Sequence, residues 1–281
     1  MGELYQSAAE ELTDWFVTEP LSIAMETDMQ VRLIGWLQTE LTDRNQSHGI
    51  LHPGTTGFNG NKVLTGIETA ANYKEPYVKE ILKRQRSSGR ENSGEGENEG
   101  ISIPRVRSEV NVTEDGEQNE QLDVAVLKQE LRNPVKWNDG SKRYSAEDLE
   151  AGFELKFIAN QNVISNPWGR AELNELSEEQ IRQKDYDNVA AADGDLQSDI
   201  KSLRGLPTEN VYLIVLSHYN YLMQEPLCEN QENRHRKRNE KLAPLVDKWM
   251  CKESSRKGAP DIFYAHPGGA VVWRDGKRLE P

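Results

Sequence analysis

The chain has 281 residues and carries 47 acidic against 34 basic side chains, a formal net charge of -13. That balance argues against a protein that coats nucleic acid non-specifically, because phosphate binding draws on clustered Lys and Arg, although a local basic patch remains compatible with it. Two cysteines, Cys228 and Cys251, are too few for a disulfide framework and form no Cys/His cluster of zinc spacing, no run is long enough to span a membrane, and Met1 to Phe16 lacks the basic start and apolar core of a signal peptide. These features lead us to expect a cytoplasmic protein without a membrane partner, built as one domain with insertions (1–281).

The first 86 residues read as a helical part, with helices over Leu4 to Phe16, Asp28 to Leu41 and about Ile67 to Gln85. In the second, Met29, Leu33, Ile34, Leu37 and Leu41 recur at three- and four-residue steps and make one apolar stripe. Asn45 to Gly66 is rich in glycine but nowhere meets the GxxxxGK[ST] phosphate-loop pattern, so it reads as an irregular surface loop. Residues 87–100 (SSGRENSGEGENEG) hold no aliphatic or aromatic side chain and read as a flexible linker.

The period then changes to two. Arg105, Arg107, Glu109 and Asn111 alternate with Val106, Val110 and Val112, which predicts a half-buried strand with those four residues on its polar face. A turn at Asp115-Gly116 and a more apolar strand, Leu122 to Leu127 (LDVAVL), complete an antiparallel hairpin. Gln129 to Glu150, with Asn133-Pro134 and Asn138-Asp139-Gly140, reads as mostly loop with a helical turn at Ala146 to Leu149. Gly152 to Ile158 (GFELKFI) is a strand. Ser177 and Gln180 suggest a capping box, Asp193 to Leu203 a helix, and Val211 to Leu216 (VYLIVL) a central buried strand that ends the sheet core, 101–217. The remainder, 218–281, reads as a helix over Glu229 to Met250, broken near Pro244, and short strands at Asp261 to Tyr264 and Ala270 to Trp273.

Charged residues inside the apolar strands are the chemical signal. Glu154 and Lys156 are two apart on a strand and so share a side, while Phe153, Leu155 and Phe157 take the other. Opposite charges beside so much apolar surface are costly unless they pair or bind something. Two further [DE]xK tripeptides, Asp199-Ile200-Lys201 and Asp275-Gly276-Lys277, fall on a helix, where residues two apart do not face each other, and in a glycine turn. Asp123 is a lone acid in an apolar strand and needs a partner, which a divalent cation shared with Glu154 would be.

With these strands in view, the chain resembles the PD-(D/E)XK nuclease superfamily, whose α/β, restriction-endonuclease-like core runs αβββαβ with a central mixed sheet flanked by helices. The matching segments are the Asp28 helix, RVRSEVNV, LDVAVL, FELKFIAN, the helix DLQSDIKSL and VYLIVL, with N-terminal helices and insertions added. Leu122 stands where the motif name has proline, and Gln129 to Glu150 is an insertion between the two acids. The resemblance implies that Asp123, Glu154 and the Leu155 carbonyl hold Mg2+ or Mn2+ and that Lys156 activates the attacking water and stabilises charge on the phosphate. It adds Glu26, at the start of the first core helix, and Glu109 as further acids, and Gln161 as a contact to substrate or water. Nucleic acid, DNA more than RNA, is then the expected partner, with Arg234, Arg236, Lys237 and Arg238 as phosphate contacts and a homodimer as the form that cuts both strands.

Plainer readings stand beside each of these. Glu154 with Lys156 could be a surface ion pair, Asp123 a strand-end acid capping a turn, Arg107 with Glu109 a solvated strand face, Glu26 a helix-start acid, and the basic run a solvated helix face. The competing function is a non-catalytic module of the same fold that binds nucleic acid or a protein partner.

Overall fold

The computed structural model describes residues 2–51, 101–113, 119–131, 136–138, 141–158, 194–218 and 247–279. In chain order these form helices α1 (Gly2–Thr18) and α2 (Glu26–Asp43), strands β1 (His48–Leu51), β2 (Ile101–Pro104), β3 (Val106–Thr113), β4 (Asn119–Leu127), β5 (Glu130–Leu131), β6 (Lys136–Asn138), β7 (Ser141–Ser145) and β8 (Leu149–Ile158), helix α3 (Gly194–Gly205), strand β9 (Val211–Ser217), helix α4 (247–254), and strands β10 (Asp261–His266), β11 (Gly269–Arg274) and β12 (Lys277–Leu279). The fold is mixed α/β. The chain divides into two compact units, one of Met1–Leu33 with Phe153–Pro281 and one of Ile34–Gly152.

In the first unit the strands run in the order β12-β11-β10-β9-β8, with β10 parallel to β9 and antiparallel to β11. Every residue of β9 is buried, as its unbroken apolar run predicts for a central strand. Helix α1 lies across β9, β10 and β11 and buries Leu4, Tyr5, Ala8, Leu12 and Phe16, which recur at three- and four-residue steps. One sheet face is aromatic: Phe153 stacks on Tyr212 with centroids 5.0 Å apart, Tyr212 meets Phe263 at 6.2 Å, and Phe157 and Phe16 both pack on His218. By strand alternation Glu154 and Lys156 take the opposite face, toward which α3 sends Asp199. The β11–β12 hairpin turns on Asp275 and Gly276, both at positive φ (49° and 73°), the type I′ pattern expected of a two-residue Asp-Gly turn.

The second unit holds the three-stranded sheet β2-β1-β5 and a run of strands in the order β4-β3-β7-β6. Strands β3 and β4 form the antiparallel hairpin that the period-two pattern predicts, with Val106 opposite Val126 and Val110 opposite Leu122. The register is the same on both sides of Glu109, which sits opposite Asp123 at φ +49° and drops out of the ladder without inserting a residue. Strand β3 is also parallel to β7, which pairs antiparallel with β6.

Three expectations need correction in this unit. His48–Leu51, expected within a loop, is β1, paired to β2 and β5; its glycine is required, because a Cβ at Gly49 would stand 2.8 Å from the Lys128 carbonyl oxygen. Gln129 to Glu150, expected as mostly loop, contributes β5, β6 and β7 besides the expected helical turn, a 3-10 turn at Ala146–Asp148. Arg105 is not on the polar strand face. It falls in the break between β2 and β3 and is fully buried. Its Nε donates to the Leu127 carbonyl at 2.6 Å, one terminal nitrogen donates to the Gln46 carbonyl at 2.9 Å, and the other pairs with Glu150.

Candidate active site

Strand β8 positions the candidate residues. Its run of Phe153, Leu155 and Phe157 anchors one side in the aromatic layer, with Phe153 and Leu155 fully buried, and so fixes Glu154 and Lys156 on the other. Glu154 is 7% exposed, a carboxylate held almost entirely out of water. Lys156 is half-buried, and its Nζ lies 3.5 Å from Oδ2 of Asp199 on α3. Asp199 belongs to one of the two [DE]xK tripeptides set aside for their context, in this case because residues two apart on a helix do not face each other. It is a partner of the motif lysine rather than a rival motif.

Glu26 reaches the same strand. At the first position of α2, its Oε1 accepts a hydrogen bond from the Phe157 backbone N–H at 3.2 Å. The N-terminus of α2 is held independently by Asp28, whose carboxylate accepts from the backbone N–H groups of Ala24 and Met25. Three separate elements of the first unit, α2, β8 and α3, thus bring Glu26, Glu154, Lys156 and Asp199 to one stretch of strand.

Asp123 lies in the second unit, half-buried on β4 with exposed Glu109 opposite it. Leu155 is fully buried, its carbonyl part of the β8 backbone. Gln161, Arg234, Arg236, Lys237 and Arg238 fall outside the described residues, as do the Ile67 to Gln85 helix, the 87–100 segment and the Ser177 capping box. Among the described residues no three His, Cys, Asp or Glu side chains stand together in a way that could hold a metal ion.

Two residues escaped the sequence reading. For Asp199 a signal was present: Leu196, Ile200 and Leu203 form the buried stripe of α3, and Asp199 sits at the i+3 position of that stripe, an acid on an apolar helix face. For His266 there was none. It ends β10, 1% exposed, with Nδ1 accepting from the Gly268 N–H at 2.9 Å and Nε2 buried without a partner among the described residues. Burial pushes its pKa down to about 4, so the imidazole is neutral near pH 7.

No helix among the described residues is long and apolar enough to cross a membrane. Compared with protein-family models, curated proteins and solved structures, the chain matches none of them.

Proposed function

We propose that the protein is a metal-dependent nuclease that hydrolyses phosphodiester bonds, acting on DNA as an endonuclease of a restriction or genome-defence kind. The observation that carries this reading is the charged side of β8. A nearly dry carboxylate, Glu154, and a lysine with its own counter-ion, Lys156 with Asp199, are an expensive set of groups to hold against a core and are what phosphoryl chemistry needs. The order α2, β3, β4, β8, α3, β9 supports it, because it follows the αβββαβ sequence of the restriction-endonuclease-like core, with β5 to β7 as the insertion between the acids.

The donors named by this reading, the Glu154 carboxylate and Leu155 carbonyl of β8 and the Asp123 carboxylate of β4, are all oxygens, which suit Mg2+ or Mn2+ rather than a soft metal. Such a cation would polarise the scissile phosphate and lower the pKa of a water. Lys156 orients that water and offsets the negative charge that grows on the phosphate, and Asp199 holds the lysine in place from α3. Glu26 is a candidate further acid, tied to the strand through Phe157.

Incubation of supercoiled plasmid and of single-stranded DNA with the full chain and Mg2+ or Mn2+ tests the reading: metal-dependent cleavage, abolished by EDTA and lost in Glu154→Gln and Lys156→Ala, is the expected result. Full-rate cleavage by Lys156→Ala would overturn the mechanism. One observation favours a second reading, a non-catalytic module of this fold that binds nucleic acid or protein: Lys156 already has an acidic partner, as a purely structural ion pair would. Unchanged Mn2+ titration heats in Asp123→Ala would favour that module.

A further inference from the structure

We infer that the outer surface of α4 and the adjoining end of α3 is where a DNA duplex lays its phosphate backbone, with Lys201, Lys248 and Lys257 as contacts. The identity of the polyanion rests on the nuclease reading. The surface itself rests on charge and geometry within the first unit.

The two sides of that unit's sheet differ in charge. On the aromatic side α1 carries Glu3, Glu10, Glu11 and Asp14 and no lysine or arginine. Helix α4 lies on the other side: Trp273, whose indole donates to Asp247 at 2.9 Å, pairs with Ile262 and so has the strand parity opposite to Phe263. Residues 247–257 (DKWMCKESSRK) hold four cations and two acids. Both acids are engaged within the unit. Glu253 is 5% exposed, and Asp247 accepts from Trp273 and lies 3.5 Å from Arg278. Trp249, Met250, Glu253 and Ser254 form the buried stripe of α4, and Lys248 and Lys252, four residues apart, form its exposed one.

Helix α3 joins the same surface. The Glu253 carboxylate lies 3.8 Å from Arg204 of α3 and 2.9 Å from Arg256, so one buried acid gathers two guanidiniums. The turn after α4 closes on α3 as well: Gly258 has φ +71°, and a Cβ there would stand 3.2 Å from the Arg204 carbonyl oxygen. Exposed Lys257 is thereby set beside the end of α3. Lys201, also exposed, precedes Arg204 by three residues and shares its side of the helix, the side turned to α4.

Charge decides what fits. In a chain of net charge -13, this surface presents cations while its acids are committed to partners. A helix dipole accounts for Arg204, in the last turn of α3, but not for Lys201 or Lys248. A surface kept only for solubility mixes both signs. The two arginines share a carboxylate, whereas Lys201, Lys248 and Lys257 make no ion pair among the described residues. Lysines are point charges suited to phosphate, without the planar fork that matches a carboxylate.

Lys277 supplies a control in the same unit. It is exposed but pairs with Arg274, whose Nε meets Asp261 on the side that holds α1. Binding of a fluorescein-labelled DNA duplex to the full chain is measured by anisotropy in EDTA over a series of salt concentrations. The Lys201→Gln/Lys248→Gln/Lys257→Gln protein is expected to bind at least about tenfold more weakly and to lose about two to three from the slope of log K against log salt, while Lys277→Gln keeps both. No binding by the wild type, unchanged affinity and slope in the triple variant, or an equal loss per charge in Lys277→Gln would overturn the inference. Displacement of the duplex by polyglutamate at equal charge concentration would also overturn it, giving the surface to an acidic protein. Plasmid cleavage run in parallel separates the two claims: cleavage by the wild type with DNA affinity unaffected in the triple variant removes this surface alone, and binding lost in the triple variant without metal-dependent cleavage by the wild type removes the nuclease reading and leaves the surface.

Discussion

Replacing Arg105 by methionine removes the one fully buried guanidinium among the described residues and tests whether the second unit is held together by a charge rather than by its apolar core. Arg105 makes three interactions with separate parts of that unit: the Gln46 carbonyl beyond α2, the Leu127 carbonyl at the end of β4, and the Glu150 carboxylate near the start of β8. Backbone bonds from Arg105 N–H to the Ser47 carbonyl and from Leu127 N–H to the Arg105 carbonyl fix the same junction. Methionine fills much of the volume but takes the Nε and terminal donors away from two carbonyls and the guanidinium away from the Glu150 carboxylate, which is 21% exposed. Each orphaned carbonyl costs about 1 kcal/mol or more, and breaking a buried pair from one side costs about 3–5 kcal/mol in total. Arg105→Lys keeps the charge but not the fork of donors and should lose about 2 kcal/mol. Glu150→Gln keeps an acceptor beside the guanidinium and should lose about 1–3 kcal/mol. Urea denaturation followed by far-ultraviolet circular dichroism measures these losses. A loss below about 1 kcal/mol in Arg105→Met would refute the assignment of the ion pair as the unit's anchor.

Other outcomes are expected at single residues. Asp199→Asn should lower kcat for DNA cleavage about tenfold or more with little change in KM or melting temperature, because the pair is partly solvated and contributes little to stability; an unchanged kcat would remove its positioning role. Glu26→Gln keeps an acceptor for the Phe157 N–H but no charge, so a fall in Mn2+ affinity without a fall in stability marks Glu26 as a ligand, and no change in calorimetry marks it as a strand tether. His266 is neutral in the fold, with its pKa lowered to about 4, whereas the unfolded chain takes up a proton near pH 6.5. The unfolded state therefore binds more protons between those values, and stability falls as pH drops from about 6.5 to about 4, by up to about 3 kcal/mol, a loss that His266→Gln should largely abolish in denaturation series at several pH values. Gly276→Ala should cost about 1–3 kcal/mol, since Gly276 has φ +73° and the new Cβ would stand 2.8 Å from the Ser255 Cβ.

Most of the regular structure was legible because apolar period decides it. The stripe of α2, the alternation of β3 and the unbroken run of β9 each correspond to an element with the expected burial. Arg105 shows where the same rule fails. It holds the right parity for the polar face, but the chain breaks at that residue between β2 and β3, and a partner distant in sequence, Glu150, makes burial of the charge tolerable. β1 and β5 were hidden for a related reason. A strand as short as Glu130–Leu131 carries too few residues to show a period and exists only because β1 pairs with it. At the candidate site, Glu154 and Lys156 were visible from their own strand, while Asp199 was passed over because it was weighed against Lys201, which a helix turns away from it, and not against the apolar residues Leu196, Ile200 and Leu203 beside it.

The plain reading of Glu154 and Lys156 as a surface ion pair makes a definite structural demand, and β8 does not meet it. A surface pair would leave both groups well solvated and would need no third charge. Glu154 is instead 7% exposed, and Lys156 has Asp199 at 3.5 Å, from a helix that buries Leu196, Ile200 and Leu203. A lysine placed only to neutralise Glu154 would not require a second carboxylate from α3.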